Sequence, residues 1–165
     1  MLENYRRYPI GIQNFEQLRN HHCVYVDKTE LIYRLTHTDS VYFFSRPRRF
    51  GKSLLVSTLK HYFQGHKELF KGLAIDGLEK EWAEYPVFHL SFGGENFIEQ
   101  GALESKIGVA LEKWEELYGK SPIATTFGGR FLHTLQAAHQ KTGKRAVVLI
   151  DEYDKPLLDV LDTGM

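Results

Sequence analysis

The chain has 165 residues, a length that predicts about one domain. It carries 21 basic and 21 acidic side chains, and the resulting net charge of zero argues against a protein whose whole surface binds nucleic acid. The hydrophobic fraction of 42% is enough for a folded core, which excludes disorder for most of the chain. A single cysteine, Cys23, excludes an internal disulfide, and residue frequencies favour a small apolar or half-buried side chain there over a reactive nucleophile.

No targeting or membrane segment is expected. The first ten residues lack the apolar stretch of a signal peptide, and the longest apolar run, residues 146–150, is far too short to cross a membrane. We therefore expect a soluble cytoplasmic protein in a reducing environment, with no membrane partner.

Short apolar runs alternate with amphipathic segments along the chain, the pattern of an α/β protein. The first 20 residues contain several helix breakers and look irregular. Asp27 is placed as an N-cap with Glu30 as its capping-box partner, which predicts a short helix over residues 29–35.

Three apolar runs predict buried strands over residues 41–44, 86–92 and 146–150. The segments between and after them have helical spacing, which predicts helices from residue 52 to a stop at Gly65, over about 98–118, from 127 to a stop at Gly143, and for one turn from Pro156. Helices of this length allow right-handed crossovers, so we expect parallel strands. The loops after residues 44 and 150 then lie at the carboxyl edge of the sheet, where ligands bind.

The first of these loops has the pattern of a phosphate site. Gly51 lets the backbone approach an anion closely, and Lys52 adds a mobile positive charge at the β- and γ-phosphates. Ser53 offers a hydroxyl to Mg²⁺, and the first backbone N–H groups of the helix attract phosphate. The triplet is weak evidence alone, and the strand-loop-helix setting strengthens it. An ordinary phosphate-binding loop has glycine where this chain has Arg46, and Pro47 has no N–H to donate.

The loop carries three arginines, Arg46, Arg48 and Arg49, and the first of them occupies the position of the missing glycine. One interpretation is that their charge compensates for the missing glycine at a phosphate. A surface role in solubility and packing is equally compatible with the sequence. A third interpretation is contact with nucleic acid, because arginine suits phosphate groups.

The second loop opens with two carboxylates, Asp151 and Glu152, at the end of a buried strand. In a nucleotide hydrolase the first would hold Mg²⁺ and the second would polarise the attacking water as general base. Neighbouring residues at a strand end point in different directions, which suits this division of roles. Asp154 and Lys155 are at least as well explained by a solvated turn. The histidine and cysteine spacings argue against structural zinc. The sequence contains no nucleophile elbow, which argues against Ser/His/Asp catalysis.

The sequence as a whole resembles the bacterial AAA-ATPase-like family, over nearly its entire length. The segments that carry the resemblance are YPIGIQNF (8–15), YVDKTELI (25–32), FFSRPRRFGKSLL (43–55), FHLSF (88–92) and IDEYDKP (150–156).

The resemblance implies a three-layer P-loop fold of the additional-strand type, with ATP and Mg²⁺ as cofactors. It makes Arg46 a family trait, and it implies that the segment around residues 8–29 packs near the nucleotide. The implied organisation is one domain over residues 1–165, with an N-terminal extension (1–36) and a partial P-loop core (41–165). The implied nucleotide-binding residues are Arg46, Pro47, Arg48, Arg49, Phe50, Gly51, Lys52, Ser53 and Leu54, with Ser53 and Asp151 on the metal and with Lys52 and Glu152 in catalysis.

Family members usually carry a nuclease domain downstream, which implies a nucleic-acid partner for the intact protein. In such folds a further strand with a polar sensor residue follows the strand that ends in Asp151, and this sequence stops 13 residues after Glu152. We therefore expect only the N-terminal part of the ATPase domain, with low stability, self-association or completion by the missing C-terminal half. The leading hypothesis is a Mg²⁺-dependent ATPase module. The alternatives are a nucleotide-binding regulatory or structural module without turnover, an inactive fragment, and a nucleic-acid contact centred on the arginines.

Overall fold

A computed structural model describes residues 6–38, 41–47 and 49–161. The chain divides into two compact units, Met1–Glu84 and Tyr85–Met165. The domain organisation expected from the resemblance stays a prediction. No helix in the described ranges is both long and apolar enough to span a membrane.

The first unit is helical where it is described. Its helices are α1 (Phe15–Asn20), α2 (Thr29–Thr38), α3 (Lys52–Phe63), α4 (Lys67–Phe70) and α5 (Ala74–Leu78). The expectation of an irregular N-terminal segment was wrong for α1. The Asn14 side chain accepts a hydrogen bond from the Gln17 N–H at 2.9 Å and caps this helix. A helix of six residues is too short for apolar spacing to reveal it.

The core of the first unit is aromatic and is built around Phe15, which is fully buried. The Phe15 ring lies 4.8 Å from that of Phe70, and the Phe15 N–H donates to the buried Ser57 hydroxyl at 2.9 Å. The Arg19 guanidinium donates to the carbonyls of Leu69 and Lys71, each at 2.7 Å. These bonds join α1 to α3 and to the α4 segment, so the start of α3 is anchored to a packed core.

The predicted helix at residues 29–35 is confirmed, and it extends to Thr38 as α2. One Asp27 oxygen accepts from the Thr29 N–H at 2.8 Å, and the other accepts from the Ala74 N–H at 2.7 Å, at the start of α5. Burial alone would raise the pKa of Asp27. The two backbone hydrogen bonds, together with one from the Thr29 hydroxyl, outweigh burial and lower this pKa. Glu30 does not close a capping box, since its carboxylate binds Arg34 at 2.6 Å.

The predicted strand at residues 41–44 was wrong. The segment has no regular secondary structure, and Val41 and Phe43 are 87% and 74% exposed. A strand needs a neighbour for its backbone donors and acceptors, and within the described ranges no strand pairs with this run. An apolar β-branched and aromatic composition is therefore not sufficient here.

The second unit is α/β. It contains β1 (Val87–Ser91), α6 (Ala102–Tyr118), α7 (Phe127–Thr142), β2 (Val147–Asp151) and α8 (Lys155–Leu161). The two strands are parallel, in a register that pairs Val87 with Val147 and Ser91 with Asp151. The strands predicted at residues 86–92 and 146–150, the helices and the parallel pairing are confirmed.

Phe88 on β1 is the centre of packing in the second unit and is fully buried. Its ring lies 5.2 Å from Trp114 and 5.4 Å from Tyr118 on α6, and 6.0 Å from Phe131 on α7. These aromatic contacts hold both helices to the sheet. The packing fixes β1, which pairs with β2, and the acidic pair lies at the carboxyl end of β2.

Candidate functional site

The predicted phosphate site lies at the start of α3, in the first unit. Gly51 precedes the helix with φ +74°, a left-handed conformation that glycine adopts without steric cost. Apart from Gly51 and its two chain neighbours, the described residues place no atom within 4 Å of where a Cβ on Gly51 would lie. The first bond of the helix runs from the Leu55 N–H to the Gly51 carbonyl at 2.9 Å. The preceding N–H groups, including those of Lys52 and Ser53, precede the helical ladder and are the donors that a helix start offers to an anion.

The Lys52 ammonium folds back over this loop. Its Nζ donates to the Arg46 carbonyl at 2.6 Å. The Arg46 guanidinium lies 5.7 Å from the centre of the Phe44 ring, a cation–π contact at the protein surface. Of the two positively charged residues, Arg46 thus belongs to the loop ahead of α3 and Lys52 is the first residue of α3.

The remaining predicted loop residues divide by exposure. Pro47, Arg49 and Phe50 are exposed, and Arg49 has φ +68°, which turns the chain toward Gly51. The Leu54 side chain packs against the core of the first unit. Only the Leu54 backbone could therefore take part in the predicted nucleotide binding. Arg48 lies outside the described residues.

The predicted acidic pair lies at the carboxyl end of β2, in the second unit. Asp151 is buried, and its backbone carbonyl accepts from the Phe92 N–H at 3.1 Å. One Asp151 side-chain oxygen accepts from the Glu152 N–H at 3.0 Å. Glu152 has φ +53°, so the chain turns sharply at the strand end.

Gly93 lies against Glu152 of the acidic pair, and no motif in the sequence indicated it as a site residue. A Cβ on Gly93 would lie 2.6 Å from Oε2 and 3.1 Å from Cδ of Glu152. The carboxylate therefore lies directly against the backbone of the loop after β1. The available sequence signal was a glycine at the carboxyl edge of a parallel sheet, a position at which close approach is common.

Lys155 does not join the acidic pair. Its Nζ binds both oxygens of Asp159, at 2.8 and 2.9 Å, within α8. Asp154 is exposed. This agrees with the interpretation of Asp154 as part of a solvated turn, whereas Lys155 is the first residue of α8.

The two sets of residues belong to different compact units. Arg46, Gly51, Lys52 and Ser53 lie in the first unit, and the acidic pair lies in the second. The Ser53 hydroxyl and the Asp151 carboxylate are hard oxygen donors of the kind that Mg²⁺ prefers. Taken unit by unit, the residue types suit a phosphate at Lys52 and Ser53 in the first unit and a cation at Asp151 in the second.

Residues 9–165 match the family described as predicted AAA-ATPase. The chain belongs to this family. The resemblance carried by the five sequence segments is thereby confirmed, and membership points to nucleotide binding. The predicted AAA-ATPase chain is 41% identical over 158 residues to an uncharacterized protein in the vnfD 5′ region of Azotobacter chroococcum mcd 1. That alignment covers 94% of this chain and 30% of the relative, so the chain spans about a third of the relative's length. No solved structure matches the chain.

Proposed function

We propose that this chain binds MgATP through the loop before α3 and that it forms part of an ATP hydrolase. The observation that carries the proposal is the start of α3, where a left-handed, uncrowded Gly51 is followed by Lys52 and Ser53 on a helix of 12 residues. The first-turn N–H groups and the helix dipole both favour a phosphate there. Family membership supports the same conclusion.

Each residue has a role that follows from its chemistry. Lys52 would exchange its bond to the Arg46 carbonyl for one to a phosphate oxygen, which is stronger because both partners are then charged. Ser53 and Asp151 would hold Mg²⁺, and Glu152 would accept the proton of the attacking water. When bound, MgATP supplies the phosphoanhydride bond that hydrolysis breaks and the metal charge that offsets the developing negative charge.

Binding is tested by the thermal midpoint with and without MgATP. A ligand that binds only the folded state adds about 2.7 kcal/mol of stability at a hundredfold excess over Kd. We expect a rise in the wild type that is lost in Lys52→Ala. Lys60→Ala is the matched control, because it removes a positive charge from the last turn of the same helix and should keep the rise.

The absence of a rise in a folded wild-type sample would contradict the proposal for this chain. The arginine interpretation predicts another result. If Arg46 and Arg49 contact nucleic acid, binding to DNA or RNA should weaken steeply with salt and persist in Lys52→Ala.

Hydrolysis is tested separately from binding. We expect Glu152→Gln to abolish phosphate release and to keep the MgATP-dependent rise in midpoint, because the amide cannot accept the proton. Asp154→Asn, two residues away and exposed, should leave the rate unchanged. A wild type that binds MgATP and releases no phosphate would favour the regulatory or structural module instead.

We also propose that the P-loop fold is completed by residues beyond those described. In the additional-strand arrangement implied by the resemblance, a further strand follows the one that ends in Asp151. That strand would come from a longer chain or from an associated one. A nucleic-acid partner, reached through a nuclease domain, stays a prediction that belongs to the whole protein.

A further inference from the structure

The loop after β1 is shaped around the Glu152 carboxylate. Ser91, the last residue of β1, accepts a hydrogen bond from the Gly93 N–H through its hydroxyl at 3.3 Å. The Phe92 N–H binds the Asp151 carbonyl at 3.1 Å. The backbone of the loop is thus tied to its own strand and to the end of β2, and Gly93 is presented to the side chain of Glu152.

The backbone conformation at position 93 does not require glycine. Its φ lies outside the left-handed region, so alanine could adopt the same backbone. The three atoms nearest to an added Cβ all belong to the carboxyl group of Glu152, at 2.6, 3.1 and 3.4 Å. The shortest of these distances is closer than a Cβ can stand. Because the carboxyl group is the far end of a flexible side chain, it would move and the fold would stay.

The next residue, Gly94, is the opposite case. Its φ is +78°, and, its chain neighbours aside, no atom in the described part of the chain lies within 4 Å of a Cβ built on it. Alanine there would strain the backbone and leave the Glu152 carboxylate untouched. The two neighbouring glycines therefore separate an effect on backbone conformation from an effect on the position of one carboxylate.

We propose that Gly93 is a positioning residue for Glu152: its missing side chain is what lets the carboxylate lie against the backbone of the loop after β1. The proposal rests on the proposed function for its catalytic consequence, and its structural part stands without it. Substitution of Gly93 then moves the general base without touching the phosphate loop of the first unit.

The first test uses the protein without nucleotide. In protein labelled with ¹³C at the glutamate carboxyl carbons, the Glu152 resonance is assigned by its loss in Glu152→Gln. We expect Gly93→Ala to shift this resonance and Gly94→Ala to leave it in place. An unchanged resonance in Gly93→Ala, or an equal shift in both variants, would overturn the proposal.

The second test measures turnover and binding together. A misplacement of about 1 Å costs on the order of 100-fold in rate, so we expect Gly93→Ala to lower kcat by about that factor with the Kd for MgATP unchanged. Gly94→Ala should keep kcat in the fraction that is folded. Full turnover in Gly93→Ala would overturn the positioning role. A wild type without turnover would instead refute the proposed hydrolase, and the carboxyl resonance would still decide the placement of Glu152.

Discussion

The ion pair between α6 and α7 makes a quantitative prediction about the second unit. Arg130 binds Glu115 through two parallel bonds, from Nε and Nη2, each 2.8 Å long. The side chains of Glu115 and Arg130 are 4% and 15% exposed. Glu115→Ala removes the carboxylate and leaves the guanidinium largely buried without its partner.

The expected cost follows from burial. Breaking a buried pair from one side costs about 3–5 kcal/mol, because the remaining charge is uncompensated. Arg130 is near enough to the surface to recover some hydration, so we expect the lower end, about 3 kcal/mol. In a protein of this size about 1 kcal/mol shifts the melting temperature by about 2–4 °C, which gives a decrease of about 6–12 °C.

The assay should report the second unit alone. The chain has two tryptophans, and Trp114 packs on Phe88 in the second unit. In a Trp82→Phe background, Trp114 fluorescence during urea or thermal unfolding therefore follows this unit. The matched control is Glu112→Ala, which removes an exposed carboxylate from the same helix and should change stability by less than about 0.5 kcal/mol.

A loss in Glu115→Ala no larger than that in Glu112→Ala would refute the reasoning. The double variant Glu115→Leu, Arg130→Met gives a second check, since replacing both partners by apolar groups is often nearly neutral. The hydrogen bonds from Arg130 lower the pKa of Glu115, against the effect of burial. The contribution of the pair is therefore present above the unfolded pKa of about 4.3 and is lost as the pH falls through the folded pKa.

Three further predictions concern the helices. Asp27→Ala should cost about 2 kcal/mol in urea unfolding, because one carboxylate caps both α2 and α5, and a loss near 1 kcal/mol would mean that only one cap matters. Burial and the neighbouring His66 lower the pKa of the buried His61, whose Nδ1 lies 2.9 Å from that of His66. The unfolded state then binds more protons below the ordinary histidine pKa of about 6.5, so stability should fall from pH 7 to pH 5, and the fall should be smaller in His61→Phe. Gly143 follows α7 with φ +66°, so Gly143→Ala should lower the free energy of unfolding by about 1 kcal/mol. Gly128→Ala, inside α7, should raise it by about 0.5–1 kcal/mol. Melting temperatures that shift in the same direction in both variants would contradict the assignment of Gly143 as the cap.

Most of the second unit could be predicted from the sequence. The long helices α6 and α7 show several turns of apolar spacing, and β1 and β2 are apolar runs closed by glycine or acidic residues. Such patterns arise within one element and need no knowledge of the rest of the chain. The helix start at Lys52 and the cap at Asp27 are local in the same sense.

The short helices could not be predicted in this way. Helices α1, α4 and α5 have 6, 4 and 5 residues, too few for periodicity to stand out. They are held by bonds from distant residues, such as those of Arg19 to the carbonyls around Leu69 and of Asp27 to the Ala74 N–H. Only the folded unit brings these partners together.

Residue types and short-range spacing were sufficient to indicate the family, the α/β character of the second unit and the residues proposed for phosphate and magnesium. The tertiary structure alone decided that residues 41–44 form no strand, since a strand exists only with a neighbour to bind its backbone. It also decided that Glu152 lies against Gly93, two residues 59 positions apart. That contact depends on the parallel register of β1 and β2, which places the two strand ends side by side.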